Sequence, residues 1–405
     1  MEEWKSYKLG EISTIQTGPF GSQLHQSDYV ESGVPCIMPT NIGRMLDFQV
    51  SDIAHISEDD ARKLSRHIVH EGDIVYSRRG DIEKCAYVSP EQDGWFCGTG
   101  CLKVTINPYL AVPKFVAYLL STTEIKSWIV GNAVGTTMLN LNTAVLSDVP
   151  LSLPSLQTQK RCVRILDSLE SKISLNNRIN HNLEEMAQAL FKSWFIDFEP
   201  FRGGKFVDSE LGMIPEGWCV RSLGEVTMEM RNKVGQRTDV RVLSPITTGQ
   251  LVLSEEFFTK QVFSKSIAKY LLVRPGDYAY NPARVNIGSL GSNEYPFDGC
   301  VSPVYVVFRC EKGYNHFFDL YRTTVPFKEE VLSRSSGGVR QTLGYKDFAL
   351  IKLVYPPKSV IDSFNLLYEG LISIQKSNAY ENEVLRTQRD SLLPRLLAGD
   401  IDLTC

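Results

Sequence analysis

The chain has 405 residues, 43% hydrophobic and 22% charged, an ordinary globular balance with length enough for two or three buried cores. Its net charge of −4 excludes a globally basic nucleic-acid binder, although a local basic face is compatible with it. No apolar run reaches the ~20 residues of a membrane span, the charged start MEEWKSYKLGE lacks a secretory h-region, and nine scattered cysteines read as reduced cytosolic thiols.

Residues 1–155 mix strand and helix signals. Trp4 is followed by Leu9-Gly10-Glu11-Ile12. Ile74–Tyr76 and the stretch VPLSLP ending at Pro154 alternate like short half-buried strands, and Pro113–Leu120 suggests a short helix. Residues 156–199 then form a stretch without proline or glycine until Phe198. Leu166, Leu169, Ile173, Asn176, Asn180, Leu183, Ala187, Leu190 and Trp194 step by threes and fours, which predicts an amphipathic helix seeking a partner helix. At ~1.5 Å per residue it spans roughly 55 to 60 Å. Residues 200–217 read as a linker, marked by Pro200, Gly203-Gly204 and Pro215-Glu216-Gly217.

Residues 218–356 repeat the first segment. Trp218 precedes Leu223-Gly224-Glu225-Val226 at the spacing seen after Trp4, and Glu71-Gly72-Asp73 is echoed by Pro275-Gly276-Asp277. Val304–Phe308 and IKLVYPP read as strands, and His316–Arg322 as a helix. Leu141 to Pro154 and Leu343 to Pro356 both span thirteen positions, and a long helix follows each. In residues 357–405, Phe364, Leu367, Leu371, Ile374, Asn378, Glu381, Leu385, Gln388 and Leu392 predict the second seam. The expected fold is α+β: two mixed α/β domains in a pseudo-twofold internal repeat, joined by two long helices in an antiparallel coiled coil. Asn180 and Asn378 on the seams would fix register at some cost in stability.

Catalytic and metal signatures are weak. Phe96-Cys97-Gly98-Thr99-Gly100 matches the F-x-G-x-G loop with which many methyltransferases hold S-adenosylmethionine, but no Asn-Pro-Pro-Tyr or Asp-Pro-Pro-Tyr follows. Tyr355-Pro356-Pro357-Lys358 has only the prolines. There is no phosphate-binding loop of the G-x-x-x-x-G-K-[ST] type. Cys97 and Cys101 lack the partners that would complete a zinc site. His67 and His70 near Glu71 suggest no nucleophile arrangement. No catalytic, cofactor-binding or metal-ligating residue is therefore expected.

The chain resembles the specificity subunits of type I restriction–modification systems. The resemblance rests on Ala189–Phe198 (ALFKSWFIDF), Leu211–Trp218 (LGMIPEGW), Leu392–Gly399 (LLPRLLAG) and the tandem W-x4-LGE starts. It implies two target-recognition domains, each reading half of a bipartite double-stranded DNA sequence. It also implies that the conserved helices act as a ruler and dock two modification subunits, which methylate adenine with S-adenosylmethionine, and that motor-nuclease subunits join in some assemblies. This chain would itself be non-catalytic and cytoplasmic.

Reading duplex DNA calls for Arg and Lys toward phosphates and guanine, and Asn, Gln, Ser and Thr toward other base edges. The first half offers Ser22, Gln23, Asn41, Arg44, Ser77, Arg78, Arg79, Lys84, Thr136, Thr137 and Asn140 in loop-like stretches. The second offers Arg231, Lys233, Arg237, Thr248, Gln250, Asn281, Arg284, Asn286, Ser336, Arg340 and Gln341. Two other readings stand beside this one: a methyltransferase with Gly98 and Gly100 at its cofactor, and a protein scaffold that never meets DNA. Binding of S-adenosylmethionine separates out the first, and a gel shift with the modification subunit the second.

Overall fold

The computed structural model describes residues 4–43, 45–135, 139–258, 264, 266–335 and 342–401. Arg44, Thr136, Thr137, Ser336, Arg340 and Gln341 lie outside the described residues. The chain divides into two compact units, Met1–Asn176 with Tyr380–Cys405, and Asn177–Ala379. The sequence had suggested domains at 1–155 and 218–356 with the helices as separate segments. Instead, each unit includes part of both long helices, because both cores are completed by helix side chains.

In the first unit, Lys5–Lys8 pairs antiparallel with Pro150–Leu153, so the segment after Trp4 is clipped to the strand preceding the long helix. The LGE motif then has a physical meaning. Leu9 is buried, and the Glu11 carboxylate accepts from the Lys8 amide at 2.7 Å. A Cβ on Gly10 would lie 2.9 Å from Ser147 Cβ, so a larger residue would force the neighbouring turn away. An antiparallel sheet follows in the spatial order Ser13–Thr17, Cys101–Ile106, Ile74–Ser77, Cys85–Tyr87. A smaller sheet runs Tyr29–Val30, Ala54–Ile56, Val34–Ile37, Phe96–Cys97, its last pair parallel. Leu9, Tyr76, Leu102 and Phe115 pack with Cys162 and Leu166 of the first long helix and Leu396 and Leu397 of the second.

The second unit repeats this plan internally. Cys219–Ser222 pairs with Lys352–Tyr355, and Glu225 accepts from the Ser222 amide at 2.7 Å. A Cβ on Gly224 would meet Ala349 Cβ at 2.9 Å. The larger sheet runs Thr227–Glu229, Val306–Cys310, Tyr278–Tyr280, Leu290–Ser292, again antiparallel. The repeated Gly-Asp forms the turn entering its third strand: Gly72 and Gly276 have φ of 94° and 81°, a region costly for other residues. Asp73 accepts from Thr105 Oγ1 at 2.5 Å, and Asp277 takes a two-pronged bond from Arg309. Segment 200–217 is folded rather than a bare linker. Phe206–Val207 pairs with Ile214–Pro215, and Phe201 packs edge-on against Trp218.

The long helices are Leu156–Phe195 and Lys358–Ala398. In the first unit Arg389 donates to Glu170, and Asn176 to Asn382 and Glu381. In the second unit Asn180 exchanges bonds with Gln375 and Asn378, while Phe191 and Phe195 pack on Phe364. In each unit numbers rise along one helix as they fall along the other, so the pairing is antiparallel. The first predicted seam matches: Leu166, Ile173, Asn176, Leu183 and Ala187 are buried, and Leu169 and Leu190 half-buried. The second is half corrected. Phe364 is buried, and Leu371, Asn378, Leu385 and Leu392 half-buried, but Leu367 and Ile374 are 49% and 48% exposed and Gln388 points to solvent. The inward positions between them are Tyr368, Gln375, Asn382 and Arg389. Three of these are polar, and a pattern search that favours leucine and isoleucine passes over them. Their side chains are satisfied across the helix pair, which makes burial tolerable.

Candidate nucleic-acid interface

In the first unit three adjacent strands meet at one end of the larger sheet. Thr17 ends its strand opposite Leu102, and Ser77 ends opposite Cys101. The loops that follow are pinned together: Gly18 N donates to Cys101 O, Arg78 N to Gly100 O, and Leu141 N to Arg78 O. The arrangement collects Ser22, Gln23, Arg78, Arg79, Lys84 and Asn140 from distant parts of the chain. A cleft of about 550 Å³ opens there, lined by Thr40, Gln49, Ser77, Arg79, Asp81 and Lys84.

Not every expected residue is available to a ligand. Asn41 is buried, its Oδ1 accepting from the Met38 amide and its Nδ2 donating to Gln49 O, so it shapes the loop instead. Ser77 is buried and donates to Arg79 O, which fixes the turn. Lys84 is paired with Asp81. Arg79 is exposed, and Arg78 is half-buried with its cation 5.7 Å above the Phe20 ring. Arg78 Nε and Asn140 Oδ1 are buried without a partner among the described residues. No ion pair among the described residues involves Arg66, Arg78 or Arg79; the nearby pairs are Arg62 with Asp59, Lys63 with Asp60 and Lys84 with Asp81.

Arg66 was missed in the sequence. Its Nε donates to His67 Nε2 at 3.0 Å and its Nη2 reaches Gln23 Oε1 at 3.5 Å. Lys103 clamps the Arg66 and Ile68 carbonyls at 3.0 and 2.8 Å. Burial, reinforced by the Arg66 and Lys103 charges, holds the His67 pKa down to about 4, so the ring is neutral and its lone pair can accept. Only the adjacency of a basic residue to a histidine hinted at this in sequence.

The second unit has an equivalent loop cluster. Tyr280 ends its strand opposite Val306, and Leu343 N donates to Pro282 O just as Leu141 does to Arg78 O. A cleft of about 370 Å³ is lined by Thr247, Thr248, Asn286, Arg322 and Lys328 among others. Exposed Thr248 and Gln250 are bonded to each other at 3.3 Å, and Asn281 accepts from the Ala283 amide. Arg284 and Lys233 are exposed and make no ion pair among the described residues. Two expected cations are already neutralised: Arg231 pairs with Glu229, and Arg237 with Asp239 and Asp298.

The F-x-G-x-G stretch is part of the packing. Phe96 and Cys97 are strand residues, and a Cβ on Gly98 would lie 2.6 Å from Ile37 O and 2.7 Å from Cys36 Sγ. The glycine admits the close approach of the neighbouring strand. Burial pushes the Cys36 thiol up to about 12 and Cys85 up to about 11, so both are inert hydrophobes at neutral pH. Among the described residues no group of His, Cys, Asp and Glu is arranged for a metal ion, and no helix is long and apolar enough to cross a membrane.

A family model described as the type I restriction modification DNA specificity domain matches residues 1–185. The type I restriction enzyme MjaIX specificity subunit of Methanocaldococcus jannaschii is 25% identical, over 99% of this chain and 94% of its own. The HindI specificity subunit of Haemophilus influenzae is 26% identical, over 99% of this chain and 100% of its own. Among solved structures, the type I restriction–modification S subunit from M. genitalium shares the fold, with a TM-score of 0.60 at 14% identity, covering 100% of this chain and 97% of that one. Residues 1–185 thus match the DNA specificity domain of type I restriction–modification systems, and the chain as a whole is similar, end to end, to specificity subunits of those systems.

Proposed function

We propose that this subunit reads a bipartite duplex target, one half-site per unit, and docks two adenine-methyltransferase subunits along its long helices. S-adenosylmethionine belongs to those subunits, motor-nuclease subunits join when the system restricts, and the assembly works in the cytoplasm. The observation that carries this reading is the repetition of one loop cluster at the same end of the equivalent sheet in both units, each with cations that make no ion pair among the described residues. Such cations exchange condensed counterions for phosphate contacts, and adjacent polar side chains then discriminate base edges. Gly98, filled by the chain's own backbone, supports leaving the cofactor to the partner.

The test is methylation of a randomised DNA library by this chain combined with its modification subunit. Two short specified blocks separated by a fixed unspecified spacer are expected. A single continuous block, or methylation without sequence preference, would overturn the proposal.

A further inference from the structure

The loop after Ser13–Thr17 carries an aromatic side chain where a soluble domain has no internal use for one. Phe20 is 54% exposed. Its position is nevertheless fixed. The Phe20 amide donates to Gln23 Oε1 at 3.3 Å, and Leu24 N and Gln23 N both donate to Phe20 O, so the turn closes on the Phe20 backbone. On one face stands the Arg78 guanidinium at 5.7 Å. The Gln23 side-chain carbonyl that holds the Phe20 amide also accepts from Arg66 Nη2 at 3.5 Å. Arg66 is in turn held by the lone pair of His67 and, through its backbone carbonyl, by Lys103.

Two guanidinium groups without carboxylate partners among the described residues thus serve one loop, Arg78 over its exposed ring and Arg66 on the glutamine that holds that ring's backbone. A cation over an aromatic face helps hold Phe20 but does not require the ring to face solvent. The two charges favour a polyanion, and the ring favours an apolar surface between its phosphates. Duplex DNA offers this combination: phosphates on either side of a groove in which thymine methyl groups and base faces are the apolar contacts.

We propose that Phe20 makes an apolar contact with one base of the first half-site, while Arg66 and Arg78 bind the phosphates flanking it. This rests on the DNA-reading function proposed above. His67 is a positioning residue: it orients Arg66 and touches no DNA.

The experiment measures binding of the assembled complex to a library varied at each target position, at several salt concentrations, for the native chain, Phe20→Ala, Phe20→Leu and Arg66→Gln. Phe20→Ala is expected to lose about fivefold or more discrimination at one position of one half-site, and Phe20→Leu to restore part of it. Arg66→Gln should weaken binding across all sequences and lower the slope of log affinity against log salt by about one. Unchanged discrimination in Phe20→Ala, or an unchanged salt slope in Arg66→Gln, would overturn the inference. So would equal relaxation at every position in Phe20→Ala. Absence of sequence preference in the native complex would instead defeat the underlying DNA-reading function, so the two failures are distinguishable.

Discussion

At the scale of the residue, local charge balance sorts the surface arginines. Arg237 sits between Asp239 and Asp298, and Arg241 between Glu255 and Glu256, so each would have to break existing pairs to reach a phosphate. Arg66 is held by neutral acceptors and keeps its charge available. The neutral His67 that makes this possible gives a pH prediction. Its pKa is depressed from 6.5 to about 4 in the folded unit. As pH falls below about 6.5 the unfolded chain therefore takes up a proton that the folded unit refuses. The stability tied to His67 is complete above about 6.5 and is lost as pH falls toward about 4. Denaturant unfolding of the native chain and of His67→Gln should show a stability difference that shrinks over this window. A difference independent of pH would mean that His67 is not held neutral. Residue types were legible in the sequence, but their availability was not. Asn41 and Ser77 looked like base readers because they are polar and lie in loops, and only the fold shows their hydrogen bonds turned inward.

At the scale of the element, the phase of the second long helix decides which substitutions it tolerates. Truncating buried Phe364 to alanine should cost about 3–5 kcal/mol, whereas Leu367→Asp, at an exposed position, should change the stability of the isolated chain by less than about 0.5 kcal/mol. Urea midpoints of the two variants test this. A severe loss in Leu367→Asp would restore the seam expected from the sequence. That seam was right at Phe364, Leu371, Asn378, Leu385 and Leu392, and wrong at Leu367, Ile374 and Gln388. The cause is physical: a seam can bury Gln375, Asn382 and Arg389 when the facing helix supplies Asn180, Asn176 and Glu170, and no one-helix hydrophobic pattern shows the partner. The first helix was easier to read because its inward positions are mostly apolar. The repeated W-x4-LGE and Gly-Asp motifs were also legible, since each is tied to a local requirement, a clipped strand, a pinched glycine or a left-handed turn.

At the scale of the whole molecule, both long helices run through both compact units, so the proposed ruler makes their length a determinant of the DNA spacer. Seven residues inserted after Leu183, and seven at the facing position of the second helix, preserve the heptad seam. They add about 10 Å to each helix, or roughly three base pairs at the ~3.4 Å rise of a duplex. Those base pairs also rotate the second half-site by about 100°. Methylation across a spacer library should therefore lose the original spacing while each half-site keeps its own sequence. Retention of the original spacing by the folded variant would show that the helices do not set it.

The most direct test of the central claim, that each unit reads its own half of the target, compares Arg79→Glu with Arg284→Glu in one library methylated by the assembled complex. Both arginines are exposed in equivalent loop clusters, and neither makes an ion pair among the described residues. Arg79→Glu should relax or abolish preference in one half-site only, and Arg284→Glu in the other only. Equal degradation of both half-sites by either variant, or of the same half-site by both, would contradict the account.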